Sequence, residues 1–346
     1  MKKYLISSLE SSANLHLSYV LEELKKFGDY EILGIFDSAF AKPYLDSKEF
    51  NAMGFIEVLP LIFKAKIAIK KMVELSKECD AILLIDSPAF NLPLAKAIKK
   101  AGVKAPITYY ILPQVWAWKS GRVKVVERYC DNLASILPFD KEFYNKSSYV
   151  GHPLLDEIVV KNSPNDKTIA FLPGSRRSEI ERLMPIFRDV AKEFVGYRKI
   201  LAIPPTLKDR IDEYYGDVLD FELSFDSVES LRVSQFAFIC SGTATLQAAL
   251  IATPFVLCFK ARSLDIFLAR KFVKLKHVGL ANIIFDFMKK EPLHKEFIQN
   301  EVTKANLLQA YHECDRDKFK KACDSLREYL LYGSAKNVAK LLFEES

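Results

Sequence analysis

Short apolar runs alternate with amphipathic stretches along the whole chain, which is the pattern of parallel strand–helix–strand units. In the first half the runs at 4–6, 32–36, 81–85, 107–111 and 133–137 read as buried strands. The stretches 15–26 and 92–101 between them read as helices, the second stopping at Gly102 as a helix C-terminus commonly does. After a polar stretch at 161–167 a second series begins, with strands expected at 168–172, 199–203, 236–240 and 255–259. That polar stretch marks a domain boundary. Residues 317–343 read as helix, broken or bent at Gly333. The expected organisation is an N-terminal domain over 1–160, a C-terminal domain over 161–316, and a helical tail over 317–346 that can return to the first domain.

Each half is thus a doubly wound, Rossmann-like α/β domain, and two such halves are expected to face a cleft. Ligands of such sheets bind beyond the carboxyl ends of the strands, so the residues that follow each strand carry the interest. After the strand at 236–240 comes Ser241-Gly242-Thr243-Ala244-Thr245, then an Ala/Leu-rich helix containing Gln247. Small residues and a fresh helix N-terminus suit a diphosphate; a plain strand-to-helix turn with a hydroxyl cap fits the same residues. After 168–172 comes Pro173-Gly174-Ser175-Arg176-Arg177, a second tight turn. There Arg176 can meet a diphosphate with two parallel hydrogen bonds, or can be a surface arginine at a helix start. Asp86 follows the strand at 81–85 and can serve as a general base on a hydroxyl, or can cap a helix. Glu10 follows the first strand, and His152 sits in a Gly-His-Pro near the domain boundary, as a substrate contact or a structural imidazole. No Gly-x-Gly-x-x-Gly occurs, which argues against a nicotinamide enzyme. The pair Asp315 and Asp317 opens a helix, where acids suit the dipole, so it is not read as a metal site.

Composition narrows this only slightly. At 346 residues the chain is long for one core, and half of it is hydrophobic. A net charge of +6 fits an anionic partner without demanding one. The six cysteines form no Cys-x-x-Cys pair and read as buried thiols in a reducing compartment. Residues 1–6 are a first strand rather than a signal peptide, and no apolar run approaches the ~18 residues of a spanning helix. Two stretches, 63–78 and 260–276, interleave lysines or arginines with apolar residues. Such helices can lie in an anionic membrane interface, or simply carry a solvated basic face. Trp116 and Trp118 are the only tryptophans, and they either anchor the core or wall an acyl or sugar site.

Taken in order, several segments resemble one family. They are Met53-Gly54-Phe55-Ile56-Glu57-Val58-Leu59, Ile85-Asp86-Ser87-Pro88-Ala89-Phe90-Asn91, Val115-Trp116-Ala117-Trp118, Leu137-Pro138-Phe139 and Val150-Gly151-His152-Pro153. Leu172-Pro173-Gly174-Ser175-Arg176, Ser241-Gly242-Thr243-Ala244-Thr245-Leu246 and Asn282-Ile283-Ile284 continue the series. Each is weak alone, but the ordered set is specific. The chain resembles the lipid-A-disaccharide synthases, inverting bacterial glycosyltransferases of GT-B-like fold. The resemblance implies transfer from UDP-2,3-diacylglucosamine to 2,3-diacylglucosamine 1-phosphate, giving the β-1,6-linked disaccharide of lipid A and UDP. It implies a Gram-negative source and no metal or other cofactor. The implied partners are those two substrates and an anionic membrane surface, not nucleic acid. The implied location is cytoplasmic, peripheral on the inner face of the cytoplasmic membrane.

Residue by residue, Asp86 and Glu10 match the catalytic acids. Arg176, Ser241, Gly242, Thr243, Ala244, Gln247, Asn282 and Gln299 match donor-binding positions. Ile56, Val58, Leu59 and Ile62 match the surface that meets membrane and acyl chains. The chain also departs from the pattern. Leu9, Ala13 and Asn14 stand where the first loop of the family has Gly, Gly and Asp. Ala89 replaces the second acid of the Asp86 segment, and Gln247 replaces the acid after the donor loop. Two other readings remain at this point: another UDP-sugar enzyme of the same fold, such as an epimerase, or a non-catalytic nucleotide- or lipid-binding relative.

Overall fold

The computed structural model describes residues 1–52, 58–117, 119–261 and 275–346, side chains at 50–52, 58–62 and 166 excepted. The chain forms two compact units, Met1–Glu157 with Leu330–Ser346, and Ile158–Tyr329.

The first unit holds β1 (Lys2–Ser8), β2 (Tyr30–Phe36), β3 (Leu45–Asp46), β4 (Ala81–Ile85), β5 (Ile107–Tyr110), β6 (Asn132–Ser135) and β7 (Ser147–Tyr149). They pair in the order β3-β2-β1-β4-β5-β6-β7, every pairing parallel. Both faces of the sheet are covered, which is why these strands read as continuous apolar runs. Along β1 the side chains alternate between two cores. Leu5 packs with Ile35, Met72 and Leu84, while Tyr4 and Ile6 pack with Leu17, Val20 and Phe36. Leu17, Val20, Leu21 and Leu24 lie on one face of the helix Ser11–Leu24 and are buried against that second core. Each such side chain contributes roughly 1.5–3 kcal/mol of transfer free energy.

The second unit holds β8 (Asn165–Leu172), β9 (Arg198–Ala202), β10 (Glu222–Ser224), β11 (Ser234–Ile239), β12 (Phe255–Phe259) and β13 (Glu296–Ile298). Their order is β10-β9-β8-β11-β12-β13, again parallel throughout. Its core is strongly aromatic. Phe171 and Phe238, on neighbouring strands, stack at 5.2 Å between ring centroids, and Phe187 and Phe221 close around Phe171.

The tail expected over 317–346 is two helices, divided between the two units. The helix Arg316–Leu330 lies in the second unit up to Tyr329, while the helix Ser334–Glu344 belongs to the first. The break falls at the expected Gly333, whose φ of +94° favours glycine. Asp156 fixes the new direction, its two carboxylate oxygens accepting from Gly333 N (2.7 Å) and Ala335 N (2.8 Å). Ala335, Val338, Ala339 and Leu342 then bury one helical face in the core that holds Tyr4 and Ile6. The polar stretch at 161–167 is not a free linker either. Asn162 N donates to Ile251 O (2.7 Å) and Ser163 N to Arg232 O (2.9 Å), and β8 begins at Asn165.

Candidate active site

In each sheet the strand order reverses once, between β1 and β4 and between β8 and β11. In open parallel sheets these switch points are where ligands bind, beyond the carboxyl ends. Glu10 and Asp86 follow β1 and β4, and Arg176 and Ser241 follow β8 and β11. The four segments singled out from sequence therefore fall at the two switch points, two at each.

At the first switch point the backbone is strained and strapped down. Asp86 (φ +47°) and Ser87 (φ +43°) are consecutive left-handed residues, neither a glycine. Such conformations cost of order 1–3 kcal/mol each and persist where surroundings impose them. Here the main chain of Asp86 is tied three ways. Its N–H donates to Tyr110 O (2.9 Å), and its carbonyl accepts from Tyr109 OH (2.6 Å) and Asn91 Nδ2 (2.8 Å). Asn91, fully buried, also donates to Ile85 O and accepts from Ser7 Oγ at 2.7 Å. The half-buried Asp86 carboxyl is pushed up from 3.8 to about 6, first by burial and then by the Glu10 carboxylate. That places it close to working pH, as a general base requires. Glu10 is exposed and accepts from Ser87 Oγ at 3.3 Å.

Asn14, where the family pattern has an aspartate, is buried and serves as an amide. Its Nδ2 donates to Glu10 O (2.9 Å) and Ser47 Oγ (3.1 Å), and its Oδ1 accepts from Asp37 N (2.9 Å). A carboxylate could accept the last bond but donate neither of the others. His152 proves structural. It is buried, its Nδ1 accepts from Leu154 N, and burial holds it neutral at about 3. Trp116 anchors a loop, its ring edge-to-face with Phe139 at 5.7 Å. The neighbouring Asp140, bonded by Ser135 Oγ at 2.7 Å, is raised to about 6 by burial. Trp118 lies outside the described residues.

At the second switch point Cys240 N donates to Leu172 O (2.8 Å) and so brings the two loops side by side. Gly242 has φ +120°, and the helix Thr243–Ile251 starts immediately after it. Ser241, Gly242, Thr243 and Ala244 are exposed or partly exposed, and Gln247 lies one turn further along the same helix face. The first N–H groups of that helix and its positive end suit an anion. Across from it, Arg176 leaves most of its side chain in solvent and donates through Nη1 to Glu179 Oε1 at 3.1 Å. Gly174 (φ +107°) lies against Glu179: a Cβ there would stand 2.7 Å from Glu179 Oε2 and 3.3 Å from Cys240 Sγ. Burial, with the Glu179 charge second, pushes the Cys240 thiol up to about 12, so it is not a nucleophile here.

Two residues expected at the donor, Asn282 and Gln299, make their hydrogen bonds within the protein. Asn282 is buried, and its whole hydrogen-bonding capacity is used. Nδ2 donates to His294 O (2.9 Å) and Glu296 Oε1 (2.8 Å), and Oδ1 accepts from Leu293 N (2.8 Å) and His294 N (3.2 Å). Gln299 pairs with both backbone groups of Ala261, accepting at 3.1 Å and donating at 3.0 Å. Both shape the edge of the second sheet. Residues that sequence reasoning passed over are Asn91, Tyr109, Glu179 and Glu296. Asn91 stands inside a segment already singled out and Glu179 two residues beyond another, so their spacing from Asp86 and Arg176 was the available signal.

Of the expected membrane patch, Ile56 lies outside the described residues. Val58, Leu59 and Ile62 open the helix Val58–Ser76, their side chains outside the described set. Further along it Phe63 and Ile67, one turn apart, are 68% and 51% exposed, among Lys64, Lys66, Lys70 and Lys71. Residues 262–274, most of the other basic stretch, also lie outside the described residues. No described helix is long and apolar enough to cross a membrane. The second unit has an open cavity of about 670 Å³ at the amino ends of β12 and β13, lined by Phe255, His277 and Glu296, at the opposite end of the sheet from the two loops.

This fold is that of the GT-B glycosyltransferases and related UDP-sugar epimerases. A Staphylococcus aureus MnaA–UDP co-structure superposes with a TM-score of 0.63 at 13% identity, covering 97% of this chain and 94% of that one. The glycosyltransferase of kitacinnamycin gives 0.63 at 12% identity, covering 99% of each chain. Sequence separates these possibilities. A family model described as lipid-A-disaccharide synthetase matches residues 4–340. The lipid-A-disaccharide synthase of Campylobacter jejuni strain RM1221 is 55% identical, over 99% of this chain and 100% of that one. That of Helicobacter acinonychis is 44% identical, over 98% and 97%. The chain belongs to the lipid-A-disaccharide synthase family and is a glycosyltransferase of lipid A biosynthesis.

Proposed function

We propose that the chain joins UDP-2,3-diacylglucosamine to 2,3-diacylglucosamine 1-phosphate in a single inverting displacement. The bond between the anomeric carbon and the diphosphate oxygen breaks as the acceptor hydroxyl forms the β-1,6 bond. Asp86 takes the hydroxyl proton, and UDP leaves. The observation that carries this is the coincidence of both switch points with the chemistry: a carboxyl raised to about 6 at one, an arginine beside a helix N-terminus at the other. Burial keeps Asp86 basic, with the like charge of Glu10 adding to it, and Glu10 also accepts from Ser87 Oγ. Arg176 and the N–H groups of Thr243 and Ala244 take up the charge that builds on the leaving diphosphate. The proposed displacement proceeds without a metal. Gln247, an amide where an acid holds ribose hydroxyls in many enzymes of this fold, can both donate and accept there.

The acceptor and donor carry acyl chains, so the enzyme works as a peripheral protein on the inner face of the cytoplasmic membrane. The helix Val58–Ser76, with exposed Phe63 and Ile67 among lysines, supports that reading. The test is purified protein with both lipid substrates and mass-spectrometric detection. Disaccharide 1-phosphate and UDP in equal amounts are expected. UDP release without disaccharide, or turnover of UDP-N-acetylglucosamine without any lipid, would overturn the proposal.

A further inference from the structure

A carboxylate is an odd neighbour for a diphosphate, yet Glu179 sits at the second switch point, more than nine-tenths buried. It lies between the two loops: Oε1 meets Arg176 Nη1 at 3.1 Å, and Oε2 lies beneath Gly174, whose missing Cβ makes the room. Two roles fit that position. As an acid in the first turn of the helix Arg177–Ala191 it favours the helix dipole, which is a purely structural use. As a fixed negative charge it also competes with any anion for Arg176.

We propose that Glu179 is a positioning residue and counter-charge for Arg176, which holds the guanidinium in the empty site and weakens the grip on UDP so that product leaves. The inference rests on the placement of the donor diphosphate at this switch point. The geometry favours competition because Arg176 has no other partner among the described residues and most of its side chain is in solvent. The guanidinium is therefore free to swing from Glu179 to a phosphate, and Glu179 recaptures it when the phosphate goes. The two roles differ in sign. A brace for the loop predicts that its loss weakens UDP binding. A counter-charge predicts that its loss tightens UDP binding, because a unit charge about one side chain away in a partly solvated site is worth about fivefold to tenfold in affinity.

The experiment is calorimetric titration of the full chain with UDP, beside steady-state kinetics. Glu179→Gln keeps the size of the side chain and an acceptor for Arg176, so the packing beneath Gly174 survives. We expect UDP Kd to fall about fivefold to tenfold, with a matching fall in the UDP inhibition constant and a lower kcat. Glu179→Asp, which retains the charge, should stay near the parent affinity. Glu179→Ala reads the same sign as the glutamine variant by another route. Unchanged or weaker UDP binding in both uncharged variants overturns the counter-charge role. Arg176→Ala is the control on the underlying reading. If it leaves UDP affinity unchanged, the donor placement itself fails; if it weakens UDP while the Glu179 variants do not tighten it, only the counter-charge role fails.

Discussion

Replacing Asp86 by asparagine should make the protein more stable and nearly inactive, and the size of the first effect can be worked out. The carboxyl is raised from 3.8 to about 6 in the folded protein. Between those values the native state holds a proton that the unfolded chain has released. Stability therefore falls as pH rises through that window and stays lower above it. At 1.36 kcal/mol per unit, the ionised carboxylate costs up to about 3 kcal/mol at pH 7.5. Asparagine is neutral and of the same shape, so Asp86→Asn should recover much of that. For a unit of this size the gain amounts to a few degrees and at most roughly 10 °C in Tm. The gain should shrink as pH falls from 7.5 to 4.5, where the parent carboxyl is itself protonated. Loss of a general base should lower kcat about 10²–10⁴-fold. The parent's activity should rise with pH through about 6, and the asparagine variant should lack that limb. Scanning fluorimetry at the two pH values and the disaccharide assay across pH read all of this. A variant no more stable than the parent at pH 7.5, or one with near-parent turnover, would refute the reasoning.

Three further outcomes follow from the same geometry. Asn91→Ala removes the bonds that Asn91 Nδ2 gives to Ile85 O and Asp86 O and strands Ser7 Oγ, so it should destabilise by about 2–4 kcal/mol and lower kcat well before it alters UDP affinity; denaturant titration and UDP calorimetry separate the two effects. Gly174→Ala places a methyl 2.7 Å from Glu179 Oε2 at φ +107°, and should cost about 1–3 kcal/mol while weakening UDP binding, as calorimetry would report. Paired Phe63→Ser and Ile67→Ser substitutions should reduce sedimentation with anionic vesicles and leave UDP affinity untouched; unchanged sedimentation would remove that helix from the membrane surface.

The long strands were legible because burial on both faces makes them continuous apolar runs. The short ones β3, β7, β10 and β13 were not, since two or three residues at a sheet edge carry no periodicity. Gly333 announced the break in the tail, but not the destination of each half. That is set by Ala335, Val338, Ala339 and Leu342 finding a core built from residues between Tyr4 and Val150, far earlier in the chain. At the site, the rule that ligands sit beyond strand ends picked out Glu10, Asp86, Arg176 and Ser241–Ala244, and the strand order then puts them at the switch points. It could not tell what each amide holds together in the fold. Asn282 and Gln299 satisfy backbone groups of segments that meet them only in the fold, and no local pattern reports that. Asn14 shows the converse. It reads as a lost acid, yet the structure gives its amide hydrogens two partners that an acid could not serve. Glu179 was hidden because glutamate in a first helical turn is ordinary.

The most direct test is the position of UDP in a crystal structure of the complex. We predict the diphosphate within hydrogen-bonding distance of Arg176 and of the backbone N–H groups of Thr243 and Ala244, with Glu179 released from the guanidinium. A diphosphate seated elsewhere, for example in the cavity by His277 at the opposite end of the sheet, would contradict the account.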